Sequence, residues 1–408
     1  MQPKLNTSIS PPAPIFSEQN LPWGYRPTAD LIAQDQRPFK LDLRVGSFFD
    51  QTGTAPVLES VLHAQELIKK TGAINQYLPP AGLSEFNTAI QDLVLGTELN
   101  QQLANRAVTF QTIGAAGALR VAADFLKQQH SSKNILLSDI GWADHQRIFS
   151  RAGLNASTYP YYNQEQHIIN FDQVIASLNT RQAGDTVVLQ AACHNPTGCD
   201  FSREQWLEIF STLSNKKLLP VFDLSYPGFG TNLEQDFWPI RHCAQNGFDL
   251  LLACSWGKSF SMCNARVGTL TLVTSSPEVT KRATSQILAE IQANYSSPPS
   301  QGAEIMATIL GSDLKDIWRE ELKTMRAVIE TRRASLVSEL SNLGALEPYQ
   351  QIATQRGIFA WTGITRTQSK LLGSDFGLYI PSSGRLCLGA LPDHRIPDVA
   401  QALSKIIQ

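Results

Sequence analysis

Between residues 107 and 273 the chain alternates short, mostly apolar runs with stretches in which apolar residues recur every three or four positions. The apolar runs fall near 107–112, 134–138, 186–192, 218–223, 249–255 and 267–273. They are rich in valine, leucine and isoleucine and show no alternation, which is the pattern of a strand covered on both faces. The stretches Ala115 to Gln129 and Arg203 to Leu213 carry helical spacing instead. Strands alternating with helices of this length predict an α/β fold whose mostly parallel sheet is flanked by helices. After the Pro298-Pro299 break the pattern becomes helical, including Leu310 to Leu343, and leads into a smaller α+β unit.

Composition narrows the partners more than the chemistry. The chain has 408 residues, enough for two domains, and a net charge of −2 that gives no reason to expect nucleic acid. Six scattered cysteines, several inside apolar strands, suit free thiols in a reducing compartment rather than a disulfide framework. The segment from Met1 to Phe16 has no apolar core like that of a signal peptide, and Ser10 to Pro14 reads as a loose arm. No run approaches the ~18 apolar residues of a membrane span, so a cytoplasmic protein is expected. His63, His130, His167, His242 and His394 have no metal-ligand spacing, and no metal is expected.

The candidate chemistry lies at strand ends. In Leu251-Leu252-Ala253-Cys254-Ser255-Trp256-Gly257-Lys258 a lysine follows a buried strand among small and apolar residues. Such surroundings disfavour the ammonium form and bring the amine toward the range where it attacks carbonyls and carries protons. His194-Asn195-Pro196-Thr197-Gly198 forms a turn after a second strand. Asp223 sits inside a third apolar run just before Tyr226, where an ionised carboxylate calls for a cation opposite. Arg266, eight residues after the lysine, can clamp an anion. Open α/β sheets bind ligands beyond the carboxyl ends of their strands, so these groups can share one ligand. The set calls for an aldehyde, a protonated ring nitrogen, a phenolic oxygen and a phosphate, and pyridoxal 5′-phosphate (PLP) meets all four demands.

Nine short motifs in order resemble the class I aminotransferases of PLP fold type I, in the aspartate and aromatic amino acid branch. They are Tyr77-Leu78-Pro79 with Gly82-Leu83, Gly117-Ala118-Leu119-Arg120, Trp142 with His145, and His194-Asn195-Pro196-Thr197-Gly198. They continue through Phe222-Asp223-Leu224-Ser225-Tyr226, Ser255-Trp256-Gly257-Lys258, Asn264-Ala265-Arg266-Val267-Gly268, Asn294-Tyr295-Ser296-Ser297-Pro298-Pro299 and Ser383-Gly384-Arg385. The resemblance implies a large PLP-binding domain over 60–310. It also implies a small domain that joins the N-terminal arm and segment 1–59 to 311–408.

It implies roles too. Lys258 would tether PLP and shuttle protons, Asp223 would pair with the ring nitrogen, and His145 would orient Asp223 from behind. Tyr226 and Asn195 would bond the phenolic oxygen, and Trp142 would stack on the ring. Arg266, Ser255 and the backbone N–H groups near Ala115 and Ala116 would hold the phosphate. Arg385 would bind the substrate α-carboxylate, with Gly46, Phe359, Asn195 and Trp142 also in the substrate site. In the homodimer that the family implies, Tyr77 would reach the neighbour's phosphate, and Gln292 and Ser296 would line the neighbour's substrate pocket.

Departures from the family pattern bear on substrate. Gln292 stands where aspartate-type members, and many aromatic ones, place an arginine for the distal carboxylate, a loss of about 2 to 5 kcal/mol for a buried carboxylate partner. Phe49, Ala55 and Ser297 replace a lysine, a threonine and an asparagine, and Arg44 replaces a glycine and is a candidate substitute cation. Ala116 and Gly257 lack hydroxyls that relatives offer, each worth about 0.5 to 1.5 kcal/mol. The expectation is a ping-pong aminotransferase acting on a neutral, aromatic or otherwise bulky L-amino acid and a 2-oxo acid. The alternatives are another PLP reaction at Cα (elimination, decarboxylation or oxidation) and an aspartate aminotransferase in which Arg44 substitutes. A non-catalytic binding protein is disfavoured because Lys258, Asp223, Tyr226, Asn195, Arg266 and Arg385 are all present.

Overall fold

The computed structural model describes residues 29–129 and 134–407. The Ser10 to Pro14 stretch and His130 lie outside the described residues. A seven-stranded sheet runs in the order Ala107–Ile113, Val267–Val273, Leu250–Ser255, Leu219–Leu224, Thr186–Gln190, Asn134–Ser138, Asn155–Tyr159. Only Val267–Val273 is antiparallel to its neighbours; the remaining pairings are parallel.

Residues alternate between two cores along each strand, as a sheet covered on both faces requires. Phe222, Leu250, Leu252 and Cys254 join the core that holds Trp206, Phe210 and Phe237. Val221, Leu251 and Ala253 face the opposite core, beneath Leu119, Ala122 and Leu126 of the helix Gly114–Gln129. Each buried leucine or valine contributes about 1.5–3 kcal/mol relative to exposure.

All six expected strands are present with ends shifted by a few residues. The seventh, Asn155–Tyr159, has no apolar run to announce it: Asn155, Ser157 and Thr158 are polar, as an edge strand with one neighbour and partly solvated side chains allows. The helix Arg203–Lys216 outruns its expected end at Leu213. Ser202 caps its start, with its side chain accepting from the Gln205 N–H and the Gln205 side chain returning the bond. The helical region expected after Pro298-Pro299, including Leu310 to Leu343, is two helices, Ser300–Leu310 and Leu314–Asn342. Gly311 ends the first of them, and helix resumes only after Asp313.

Residues 41–49 run alongside the C-terminal part of the chain. Leu41–Asp42 pairs in parallel with Leu378–Tyr379, and Phe49 N–H donates to the Gly389 carbonyl at 2.8 Å. Phe359–Trp361 pairs antiparallel with Arg385–Cys387. Both segments therefore lie where they can cover the carboxyl ends of the sheet strands. No helix among the described residues is long and apolar enough to cross a membrane.

Candidate active site

A cavity at the carboxyl ends of the parallel strands is lined by Ala115, Ala116, Trp142, Gln190, Asn195, Asp223, Ser225, Tyr226, Ser255, Lys258 and Arg266. Larger clefts lie elsewhere, but none of them contains this set of groups. Lys258 follows the strand Leu250–Ser255, and its ammonium donates to the Ser255 hydroxyl at 3.0 Å. Burial lowers its pKa, with Arg266 acting in the same direction and Cys263 and Asp223 opposing. A lysine so placed has a larger free-amine fraction than one on the surface.

Asp223 comes from the next strand and is 3% exposed. Its Oδ2 lies 2.9 Å from His145 Nε2, and its Oδ1 accepts the Ser225 hydroxyl at 2.8 Å. His145 lies in the first turn of the helix Asp144–Arg151 and meets Trp142 edge-on, ring centroids 5.4 Å apart.

An anion cradle closes the same end of the cavity. Ser255 ends one strand, Arg266 precedes another, and the helix Gly114–Gln129 starts beside them with its first N–H groups unpaired within the helix. Gly114 has φ +65°, and a Cβ there would come within 2.9 Å of Arg266 Nη2. Gly268 lies deeper, and a Cβ on it would stand 2.4 Å from the Gly114 carbonyl carbon. Two glycines thus let the helix start approach the strand that follows Arg266.

The opposite wall comes from the two covering segments. Arg385 donates from Nη1 to Asn195 Oδ1 at 2.8 Å and from Nη2 to the Arg44 carbonyl at 2.7 Å. Its Nε is buried without a partner. Phe359 lies under this guanidinium, 4.1 Å from Cζ to ring centroid, and edge-on to Tyr226 at 5.3 Å. A Cβ at Gly46 would stand 2.6 Å from the Tyr226 hydroxyl oxygen, so only glycine fits there. Burial pushes the Tyr226 phenol well above its ordinary pKa, with Arg385 opposing, so it stays protonated and can donate.

Gln190 was not among the sequence-based candidates. Its amide accepts from Asn195 N–H at 2.8 Å and donates to the Asn195 carbonyl at 3.0 Å, pinning that residue at the cavity wall. A glutamine at a strand end carries no signal in a single sequence. The side chains of Tyr77, Gln292, Ser296 and Arg44 do not line this cavity within one chain. Tyr77 is 97% exposed, and Gln292 donates to the Ser296 hydroxyl at 3.2 Å on an exposed helix end. Arg44 Nε and Nη2 each bond Asp42 at 2.9 Å. No group of three or more His, Cys, Asp or Glu among the described residues is placed to hold a metal ion.

Residues 39–403 match the family model described as aminotransferase class I and II. The chain belongs to this family. It is 41% identical to an aspartate aminotransferase of Escherichia coli (strain K12) over 90% of this chain and 94% of that protein. It is 35% identical to the aromatic-amino-acid aminotransferase of the same strain, covering 92% and 95% of the two chains. A crystal structure of an aromatic-amino-acid aminotransferase from Burkholderia pseudomallei, covalently bound to pyridoxal phosphate, superposes with a TM-score of 0.92 at 34% identity. It covers 97% of this chain and 100% of its own. The protein is thus a PLP-dependent aminotransferase of class I, with the α/β fold of that family.

The aminotransferase's own donor set fits the cofactor. Lys258 offers a buried amine to an aldehyde, Asp223 a carboxylate to a protonated ring nitrogen, and Arg266, Ser255 and the helix start a cradle for a phosphate.

Proposed function

We propose that the aminotransferase takes its amino group from a neutral L-amino acid with a large, aromatic or otherwise bulky side chain and passes it to a 2-oxo acid in a ping-pong cycle. Bound pyridoxal phosphate supplies a carbonyl that exchanges amines and a ring that takes up the electrons released at Cα. Lys258 Nζ would carry the proton between the substrate Cα and the C4′ carbon of the cofactor, a task suited to an amine whose pKa is lowered by burial. Asp223, fixed by His145 and Ser225, keeps a proton on the ring nitrogen. The Tyr226 hydroxyl donates toward the phenolic oxygen. Asn195 also donates from its amide nitrogen, because its Oδ1 is occupied by Arg385. Trp142 packs on the ring face. Arg266, Ser255 and the N–H groups at Ala115 and Ala116 hold the phosphate.

Arg385 binds the substrate α-carboxylate, a role supported by its buried and unpartnered Nε. Phe359 and Gly46 shape the adjoining wall. In a homodimer, Tyr77 reaches the neighbour's phosphate, and Gln292 with Ser296 lines the neighbour's side-chain pocket. The high exposure of Tyr77 in one chain suits a contact completed by a second.

Gln292 carries the substrate assignment. Its neutral amide, bonded to the Ser296 hydroxyl, offers a distal carboxylate no charge. Arg44, the candidate replacement, has its guanidinium engaged by Asp42. The 41% identity to an aspartate aminotransferase favours the second reading, turnover of aspartate. A single-turnover absorbance assay of the PLP-loaded enzyme separates the two, with phenylalanine, tyrosine, glutamine, arginine, aspartate and glutamate supplied one at a time without a keto acid. Faster conversion of the cofactor by phenylalanine or tyrosine than by aspartate is expected. Fast conversion by aspartate would overturn the neutral-substrate assignment.

A further inference from the structure

The helix Leu314–Asn342 buries two consecutive arginines, Arg332 at 1% exposure and Arg333 at 6%. Adjacent helix positions point about 100° apart, so the two side chains reach different segments. Arg332 pairs with Asp393 at 2.8 Å and donates to the carbonyls of Gly389 (2.8 Å) and Leu388 (3.3 Å). The Gly389 carbonyl also receives Phe49 N–H, which docks the segment carrying Gly46. Arg333 is stranger. Its hydrogen bonds go to backbone carbonyls, those of Gly357 and Phe359, rather than to a carboxylate. Burial pushes its guanidinium down to about 10, still charged at neutral pH.

Burying a cation against carbonyls alone is costly, and an aliphatic side chain of similar volume would avoid that cost. What the arginine supplies is a two-pronged, planar anchor on the strand that presents Phe359. That ring sits 4.1 Å from the Arg385 guanidinium, edge-on to Tyr226, and within 2.9 Å of where a Cβ on Gly46 would stand. A shift of the Phe359 backbone therefore moves the platform on which Arg385 rests. Arg385 is otherwise held by single bonds to Asn195 and Arg44, with Nε open.

We propose that Arg333 is a positioning residue of the substrate site, holding Phe359 so that its ring fixes the Arg385 guanidinium for the substrate α-carboxylate. This rests on the reading of Arg385 as the carboxylate clamp. Arg333 touches neither cofactor nor substrate; its effect passes through the Phe359 backbone. It should therefore change carboxylate binding while leaving the cofactor's surroundings alone.

The test uses the PLP-loaded enzyme with Arg333→Lys, Arg333→Met and Arg385→Gln. Phenylalanine and aspartate half-reactions give a half-saturating concentration and a limiting rate, and calorimetry gives the affinity for hydrocinnamate, a monocarboxylate without an amino group. Arg333→Met should raise the half-saturating concentration for both amino acids and the hydrocinnamate Kd about tenfold or more, an effect expected when a clamp loosens. The limiting rate should stay within about threefold and the cofactor absorbance should be unchanged, as expected when uniform binding is removed. Arg333→Lys, which keeps the charge and can reach only one carbonyl at a time, should fall between.

If neither Arg333 variant folds, Phe359→Leu removes the ring without disturbing the buried cation and should give the same selective loss of affinity. Wild-type hydrocinnamate affinity in folded Arg333 variants, or in Phe359→Leu where those do not fold, overturns the proposal. Loss of cofactor absorbance with unchanged affinity overturns it too. Arg385→Gln distinguishes the two levels: if it leaves carboxylate affinity unchanged, the clamp reading itself fails. If it weakens affinity and the Arg333 variants do not, only the positioning role fails.

Discussion

At Lys258, burial and neighbouring charge pull in opposite directions: desolvation lowers the amine's pKa, while Cys263 and Asp223 raise it. The net lowering favours the free amine, the form that bonds a carbonyl and accepts a proton. Lys258→Ala should abolish both turnover and the absorbance band of lysine-linked cofactor while leaving the protein folded, read by an absorbance spectrum and a thermal melt. At Gln292, an arginine would restore a charge for a distal carboxylate. Gln292→Arg should raise the single-turnover rate constant over half-saturating concentration for aspartate by about tenfold or more, since a charge-assisted pair is worth about 1.5–3 kcal/mol. No gain would move the specificity to other positions, Arg44 first. The lysine and the aspartate were legible in the sequence because each sits in or just after an apolar run with its own chemical demand, whereas His145 was reached only through the resemblance to the family. Gln190 and Arg333 were silent, because their partners are backbone carbonyls and N–H groups far along the chain or across a turn.

Among the elements, the strand Val267–Val273 and the helix Gly114–Gln129 govern the anion cradle. Gly268 lies where the two meet, and its absent Cβ leaves room for the Gly114 backbone. Gly268→Ala should lower the thermal midpoint by several degrees, since overpacking against backbone costs about 1–3 kcal/mol. It should also weaken PLP binding by displacing the helix start, which a cofactor titration of the apoprotein would measure; an unchanged midpoint and affinity would show that the contact relaxes freely. The buried strands were readable because a strand covered on both faces is a nearly continuous apolar run. The edge strand Asn155–Tyr159 was not, because its identity comes from pairing with Asn134–Ser138 rather than from its own residues. The split at Gly311 escaped notice for a related reason, since helical spacing resumes at Leu314 and spans the break.

For the whole molecule, Val57, Leu62, Leu67, Ile74 and Tyr77 are large apolar side chains left exposed in one chain, and the proposed homodimer would cover Tyr77. Sedimentation should give twice the chain mass, and Tyr77→Phe should weaken PLP by about 0.5–1.5 kcal/mol, the worth of one hydrogen bond. A monomer with full activity would remove Tyr77, Gln292 and Ser296 from the site together. Taken by itself, the sequence determined the sheet's buried strands, the cofactor and the family, because apolar runs and short motifs are local and each has a physical demand that few other residues meet. The tertiary structure alone decided which distant groups meet: Arg385 on Asn195 and the Arg44 carbonyl, its guanidinium over Phe359, and the buried arginines beneath that wall. Those contacts join residues separated by tens to hundreds of positions, and only the packing of the covering segments onto the sheet fixes their distances.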